Sequence, residues 1–208
     1  MDLLDTIKLL TTRETLQQIG HLGIFGIVFA ESGILAGFFL PGDSLLFTAG
    51  LLASAGYLNI YYLITGSAIA AIAGDSFGYY LGKRFGPKVF ARENSRFFHK
   101  DHIDRAKGYF AAFGPITIFL ARFIPFIRTF APVLAGVGGM NYRTFLFFNI
   151  FGGVFWVLSV SLLGFFLGEL VPDIDRYILP IIGLIILFSA ITPIVGYFQH
   201  RRNKKSVS

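Results

Sequence analysis

Leu22-Gly-Ile-Phe-Gly-Ile-Val-Phe-Ala-Glu31 lines up without a gap on Phe113-Gly-Pro-Ile-Thr-Ile-Phe-Leu-Ala-Arg122. The two stretches share an apolar texture and end on charges of opposite sign, Glu31 over Arg122. Both lie in sequence apolar enough for a lipid bilayer. A charge at the centre of the hydrocarbon costs roughly 2.5–3.5 kcal/mol even on the lenient insertion scale, so charges kept there mark a pathway or a binding site.

The 208-residue chain around this pair is 54% hydrophobic and 14% charged, more apolar than a soluble domain, and it reads as a polytopic membrane protein. It has no cysteine, which excludes disulfides and cysteine-ligated metal, and its four histidines show no metal-ligand spacing. The opening Met1-Asp-Leu-Leu-Asp5 has no basic region, so no cleaved signal peptide is expected. The net charge of +6 raises nucleic acid as a partner, but its distribution argues against one. Lys83, Arg84, Lys88, Arg92, Arg96, Lys100, Arg105 and Lys107 fill one loop, and Arg201, Arg202, Lys204 and Lys205 fill the tail. This is the positive-inside pattern. It predicts that residues 83–112 and the C-terminus are cytoplasmic and that the net acidic connection 169–176 is outside.

Residues 1–19 mix charges with leucines and isoleucines, as an interfacial amphipathic or leader helix does. Residues 20–56 are largely apolar but are interrupted by Glu31 and by Leu40-Pro-Gly-Asp43. One span needs only about 20 residues and a Pro-Gly-Asp break cannot propagate a helix, so two spans or a re-entrant hairpin must form. Residues 58–82 are a full span containing Asp75. The basic loop follows, its second half having apolar residues at helical intervals (Ile103, Ala106, Phe110, Phe113). Residues 113–140 are again broken, by Arg122, Pro125, Arg128 and Pro132, and 143–168 and 177–198 are clean spans.

The duplication extends further. Ala49-Gly50 leading to Leu58-Asn59 resembles Ala135-Gly136 leading to Met140-Asn141, and Gly78-Tyr-Tyr-Leu-Gly82 resembles Gly164-Phe-Phe-Leu-Gly168. Each unit is a broken apolar segment followed by one full span. If each broken segment returns to its side of origin, a single net crossing separates the units and they lie upside down relative to each other. The predicted fold is an all-α membrane protein. It is an inverted repeat of re-entrant hairpin plus transmembrane helix (repeat one 20–82, basic loop 83–112, repeat two 113–168), with an extra C-terminal transmembrane helix and basic tail in 169–208. Pro41, Gly42, Pro125 and Pro132 shape the hairpins. Paired broken segments in matching positions of two halves point to a transport site, since non-helical backbone at membrane depth survives only where protein or a water-filled cavity satisfies it.

Glu31, Asp43 and Asp75 belong to the first unit, Arg122 and Arg128 to the second. Hairpin tips meeting near the midplane would bring these acids and arginines into one poorly hydrated volume, where mutual pairing offsets desolvation. Guanidinium groups bind phosphate oxygens in a planar, bidentate way, so the cluster is a candidate phosphate clamp. Burial and a neighbouring arginine act in opposite directions on a carboxylate's proton affinity, which suits groups that exchange protons in a cycle. The bland alternative is that Glu31 or Asp43 merely caps a helix and Arg122 snorkels. Asp75, Gly78, Gly82 and Gly86 share one helical face, and Gly-x-x-x-Gly spacing permits close helix packing. Gly136-Val-Gly138-Gly139 is not a nucleotide loop, no Gly-x-Ser-x-Gly elbow occurs, and the aromatic-rich basic loop faces headgroups and not nucleic acid. His21 and His200 are interfacial by position and are assigned no chemistry.

Motifs that stand in order along the chain resemble the DedA family, whose wider group is the SNARE-associated or VTT-domain proteins. They are Glu31-Ser32; Phe39-Leu-Pro-Gly-Asp-Ser-Leu-Leu-Phe47; Gly74-Asp-Ser-Phe-Gly-Tyr-Tyr-Leu-Gly82; and Ala121-Arg-Phe-Ile-Pro-Phe-Ile-Arg-Thr-Phe-Ala-Pro132 with Ala135-Gly136. The likeness covers roughly residues 20–168. It implies an inner-membrane protein with two re-entrant hairpins, a role in moving lipids between leaflets, undecaprenyl phosphate recycling with dependence on the proton motive force, and a need for acids at Glu31 and Asp43 and arginines at Arg122 and Arg128. The expected activity is lipid translocation, with Arg122 and Arg128 binding the anionic headgroup and Glu31, Asp43 and Asp75 serving proton coupling or ion pairing. The partners are then membrane lipids and protons; a homo-oligomer is compatible with the sequence, and no cofactor, metal or enzymatic activity is expected. Two rival readings are a proton- or cation-coupled antiporter for a small solute and a non-transporting membrane organiser.

Overall fold

The computed structural model describes residues 13–35, 37, 40–90 and 114–170. Residues 1–12, most of the basic loop and the predicted span 177–198 lie outside the described residues. The described residues form six helices in order: α1 (Arg13–Gly33), α2 (Gly42–Ser54), α3 (Ile60–Phe90), α4 (Ile116–Ala121), α5 (Pro125–Val137) and α6 (Tyr142–Leu170). No strand occurs among the described residues. α1 runs unbroken through residues 19 and 20, where a boundary was expected between a leader helix and the membrane domain.

Among the described residues two helices are long and apolar enough to cross a membrane, Ile60–Phe85 and Tyr142–Leu170. Their 26 and 29 residues correspond to about 39 and 43 Å at 1.5 Å per residue, more than the ~30 Å hydrocarbon core requires. Their faces are sorted as lipid demands. On α6, Phe147, Phe151, Phe155, Leu163, Phe166 and Leu170 point outward, while Asn149, Gly152, Gly153, Ser161, Gly164 and Gly168 are buried. The outward face is thus almost wholly large and apolar, while the buried face mixes small and polar residues with Phe145, Trp156 and Val157.

The local sequence explains where each helix starts and stops. Asn59 accepts hydrogen bonds from the Tyr61 and Tyr62 amides at 2.9 and 3.2 Å and so caps α3. Asn141 accepts from the Arg143 amide at 2.9 Å and caps α6 in the same way. The turns before these caps pass through Gly56 and Gly139 at φ 77° and 74°, a left-handed conformation that glycine adopts without a Cβ penalty. Pro41 immediately precedes α2. Ile124 is extended at φ −115°, ψ 107°, as a residue before proline tends to be, and Pro125 opens α5. Pro132 lies inside α5, where it withdraws the amide that the carbonyl one turn earlier would accept.

Each full span carries the first helix of its own unit and the second helix of the other unit. α1 and α5 pack on α3; α4 and α2 pack on α6; the two spans also touch. The core accordingly has two parts. One is built around Val28, Leu46, Ala49, Leu63 and Trp156. The other is built around Ile118, Ala131, Ala135 and Phe145.

The repeat register differs from the one read in the sequence. A Cβ on Gly50 would strike the Ser161 carbonyl and one on Gly136 the Tyr79 carbonyl; one on Gly164 would strike the Phe47 carbonyl and one on Gly82 the Val133 carbonyl. Gly82 therefore corresponds to Gly164, not to Gly168. Asn59 and Asn141 each stand 23 residues before these glycines, and the fully buried Leu63 and Phe145 each stand 19 residues before them. The connection from Gly50 to Asn59 is four residues longer than that from Gly136 to Asn141. Matching by motif carried that extra helical turn into the span, whereas packing absorbs it in the turn.

Candidate functional site

Five charged side chains from five segments converge between the spans. Glu31 sits in the last turn of α1, Asp43 in the first turn of α2, Asp75 midway along α3, Arg122 directly after α4 and Arg128 in the first turn of α5. Every pairing joins an acid of the first unit to an arginine of the second. Arg128 places Nη1 2.6 Å from Asp43 Oδ1 and pairs through Nη2 with Glu31 Oε1. Arg122 pairs through Nη2 with Asp75 Oδ2. The aligned residues Glu31 and Arg122 are thus not each other's partners.

The site consists of two lobes that differ in access. In the Arg128 lobe the Asp43 side chain is 45% exposed and that of Arg128 11%. In the Arg122 lobe both side chains are nearly sealed, at 4% and 6%. Removing one member of a buried pair strands the other charge at about 3–5 kcal/mol, so neither Asp75 nor Arg122 can be lost alone without that cost.

Glycines make room for these groups. At Gly42 any Cβ would run into the Glu31 carboxylate, so the residue that breaks the chain at Pro41-Gly42 also seats the acid. Gly152 and Gly153 of α6 form the notch for Arg122: a Cβ there would lie 2.9 Å from Arg122 Cδ and 3.2 Å from its Nη2. Pro41, Pro125 and Pro132 act through the helix ends and the break described above.

Four contributors were not expected from the sequence. Asn149 accepts from Arg122 Nη2 and donates to the Ile72 carbonyl at 3.1 Å, tying the arginine to α3 and α6. Trp156 donates its indole N–H to Asp43 Oδ1 at 2.8 Å, and its ring lies under the Arg128 guanidinium, 4.8 Å from centroid to Cζ. Gly152 and Gly153 complete the set. A signal existed for two of them: Asn149 is an amide in the middle of a clean span, and the chain's one tryptophan falls midway along that span instead of at an interface. Glu31 Oε2 and Arg122 Nε are buried without a hydrogen-bond partner.

His21, expected at the interface without chemistry, is buried at 7% exposure. Its ring nitrogens face the Gln17 and Asn59 carbonyls at 2.6 and 3.2 Å, bracing α1 against the start of α3. His200 lies outside the described residues.

The VTT domain pattern matches residues 40–166. The chain is 40% identical over 181 residues to Protein DedA of Escherichia coli K12, covering 86% of this chain and 82% of that protein. It is 43% identical over 184 residues to an uncharacterized membrane protein of Mycobacterium leprae, with coverages of 86% and 82%. It is 35% identical over 146 residues to the inner membrane protein YqjA of Escherichia coli K12, with coverages of 70% and 66%. No solved structure matches the chain.

Proposed function

We propose that this chain, which belongs to the DedA family of VTT-domain membrane proteins, is a translocase that moves a phosphate-headgroup lipid between leaflets. The carrying observation is the Arg128 lobe: a guanidinium shared by two carboxylates in a membrane interior, with one of those carboxylates, Asp43, reachable from outside the cluster. Arginine can trade carboxylate oxygens for phosphate oxygens with little change of geometry, because both accept its planar fork. The headgroup would enter beside Asp43 and bind Arg128 while the hydrocarbon tail stays in the bilayer. Glu31 and Asp43, released from Arg128, would carry the coupling protons. An anionic polyprenyl phosphate such as undecaprenyl phosphate, or a glycerophospholipid, has the required chemistry.

Arg122 would take its turn in the opposite access state. The exchanged packing of α2 on α6 and of α5 on α3 supports an inverted repeat of re-entrant hairpins, in which opening one side closes the other. The basic residues of 83–112 support a cytoplasmic position for that loop in the inner membrane. The organiser reading draws on one observation, that all five charges are paired across the two units.

Exchange of fluorescent phosphate-headgroup lipids in vesicles of defined composition, with and without a pH gradient, tests the proposal. Wild-type protein accelerating exchange supports it. Proton flux that follows an added small solute, with no lipid exchange, would replace it with the antiporter.

A further inference from the structure

We infer that Trp156 is the positioning residue of the Arg128 lobe: it holds Asp43 in place and keeps Arg128 captive while the guanidinium passes from carboxylates to phosphate. The inference rests on the translocase reading. Trp156 is 4% exposed and packed in the core with Val28 of α1 and Leu46 and Ala49 of α2, so its ring is fixed. Its N–H donates at 2.8 Å to Asp43 Oδ1, the same oxygen that Arg128 Nη1 approaches at 2.6 Å. Its face carries the Arg128 guanidinium. One side chain thus touches both members of the pair by two different interactions.

Arg128 spends Nη1 on Asp43 and Nη2 on Glu31. A phosphate that takes those two nitrogens removes a charged donor from Asp43 and a counter-ion from Arg128. During the handover the largely buried guanidinium is short of a counter-ion, which a poorly hydrated site penalises, and the half-exposed Asp43 loses its charged donor. The indole reduces both losses. Its N–H, a donor only, remains on Asp43 before and after the exchange, and its π face remains under the cation in both states. The geometry therefore keeps the pair in register through the step in which the two partners separate.

The only tryptophan of the chain is also its own reporter. Full-length protein in phosphatidylcholine vesicles should show a saturable change in tryptophan emission when phosphatidic acid is added, as Arg128 shifts over the ring, and no such change in R128Q. W156F keeps an aromatic face and loses the N–H; with a hydrogen bond to a charged group removed, its exchange, compared with wild type at matched folded fraction, should fall on the order of tenfold. Wild-type emission that does not respond while phosphatidic acid is being exchanged, or W156F exchanging within twofold of wild type, overturns the inference and leaves the translocase reading standing. Absence of exchange by wild type overturns both. A response to inorganic phosphate and none to phosphatidic acid overturns the lipid as the source of the phosphate.

Discussion

Arg128 Nη1 lies 2.6 Å from Asp43 Oδ1, joining the first turn of α5 to the first turn of α2 across 85 residues of sequence. The two helices rest on different spans, so this ion pair and the Glu31 pair beside it connect the two units. Asp43 is half-exposed, which weakens the pair through solvent screening. A double-mutant cycle with D43N, R128Q and both changes should return a coupling of about 1 kcal/mol in chemical unfolding in detergent. Strictly additive effects would show that the two residues do not pair.

The Arg122 lobe should behave differently because it is sealed. D75N leaves a buried guanidinium with only Asn149, and unfolding measurements should show a loss of about 3–5 kcal/mol. The apolar double variant D75L/R122M should recover most of that stability, since a buried ion pair and a well-packed apolar pair of similar volume are often close in energy. Lipid exchange should stay abolished in the double variant. Recovery of exchange along with stability would reduce Arg122 and Asp75 to a strut.

Gly42 is required by the acid behind it. G42A should push the Glu31 carboxylate off Arg128 and eliminate exchange, with a thermal shift in the range of an overpacked core, about 1–3 kcal/mol. A G42A protein with wild-type exchange would contradict the seat described for Glu31.

The repeat register makes a separate prediction. G82A and G164A each drive a methyl group into a carbonyl of the opposing helix and should destabilise by about 1–3 kcal/mol. G78A places its Cβ at 3.5–3.6 Å from its neighbours, ordinary contact, and should be tolerated. Equal melting shifts for all three variants would restore the register read from the motif.

Much of this arrangement was legible in the sequence because membrane physics makes charges and breaks conspicuous. Asp43 beside Pro41-Gly42, and Arg128 between Pro125 and Pro132, stand out against apolar surroundings, and the caps Asn59 and Asn141 mark matching helix starts. Which arginine meets which acid was not legible. That choice depends on where the α4–α5 turn delivers Arg122 and Arg128 after the helices dock, a tertiary outcome with no local signature. Glu31 and Arg122 align as repeats, yet equivalent positions in exchanged units need not touch. The one-turn slip was hidden for a related reason: Gly-x-x-x-Gly repeats itself every turn, so only the carbonyl that each glycine meets distinguishes Gly82 from Gly78. Gly152-Gly153 were hidden because small residues are ordinary on any membrane helix, and the role of Trp156, marked in the sequence only by its mid-span place, appears only with Arg128 beside it.

The most direct test of the central claim is the initial rate of phosphate-lipid exchange by R128Q beside wild type, in the same vesicles and at matched folded fraction. If Arg128 receives the headgroup, R128Q should exchange at least about a hundredfold more slowly, the equivalent of ~2.7 kcal/mol. An R128Q rate within twofold of wild type would contradict it.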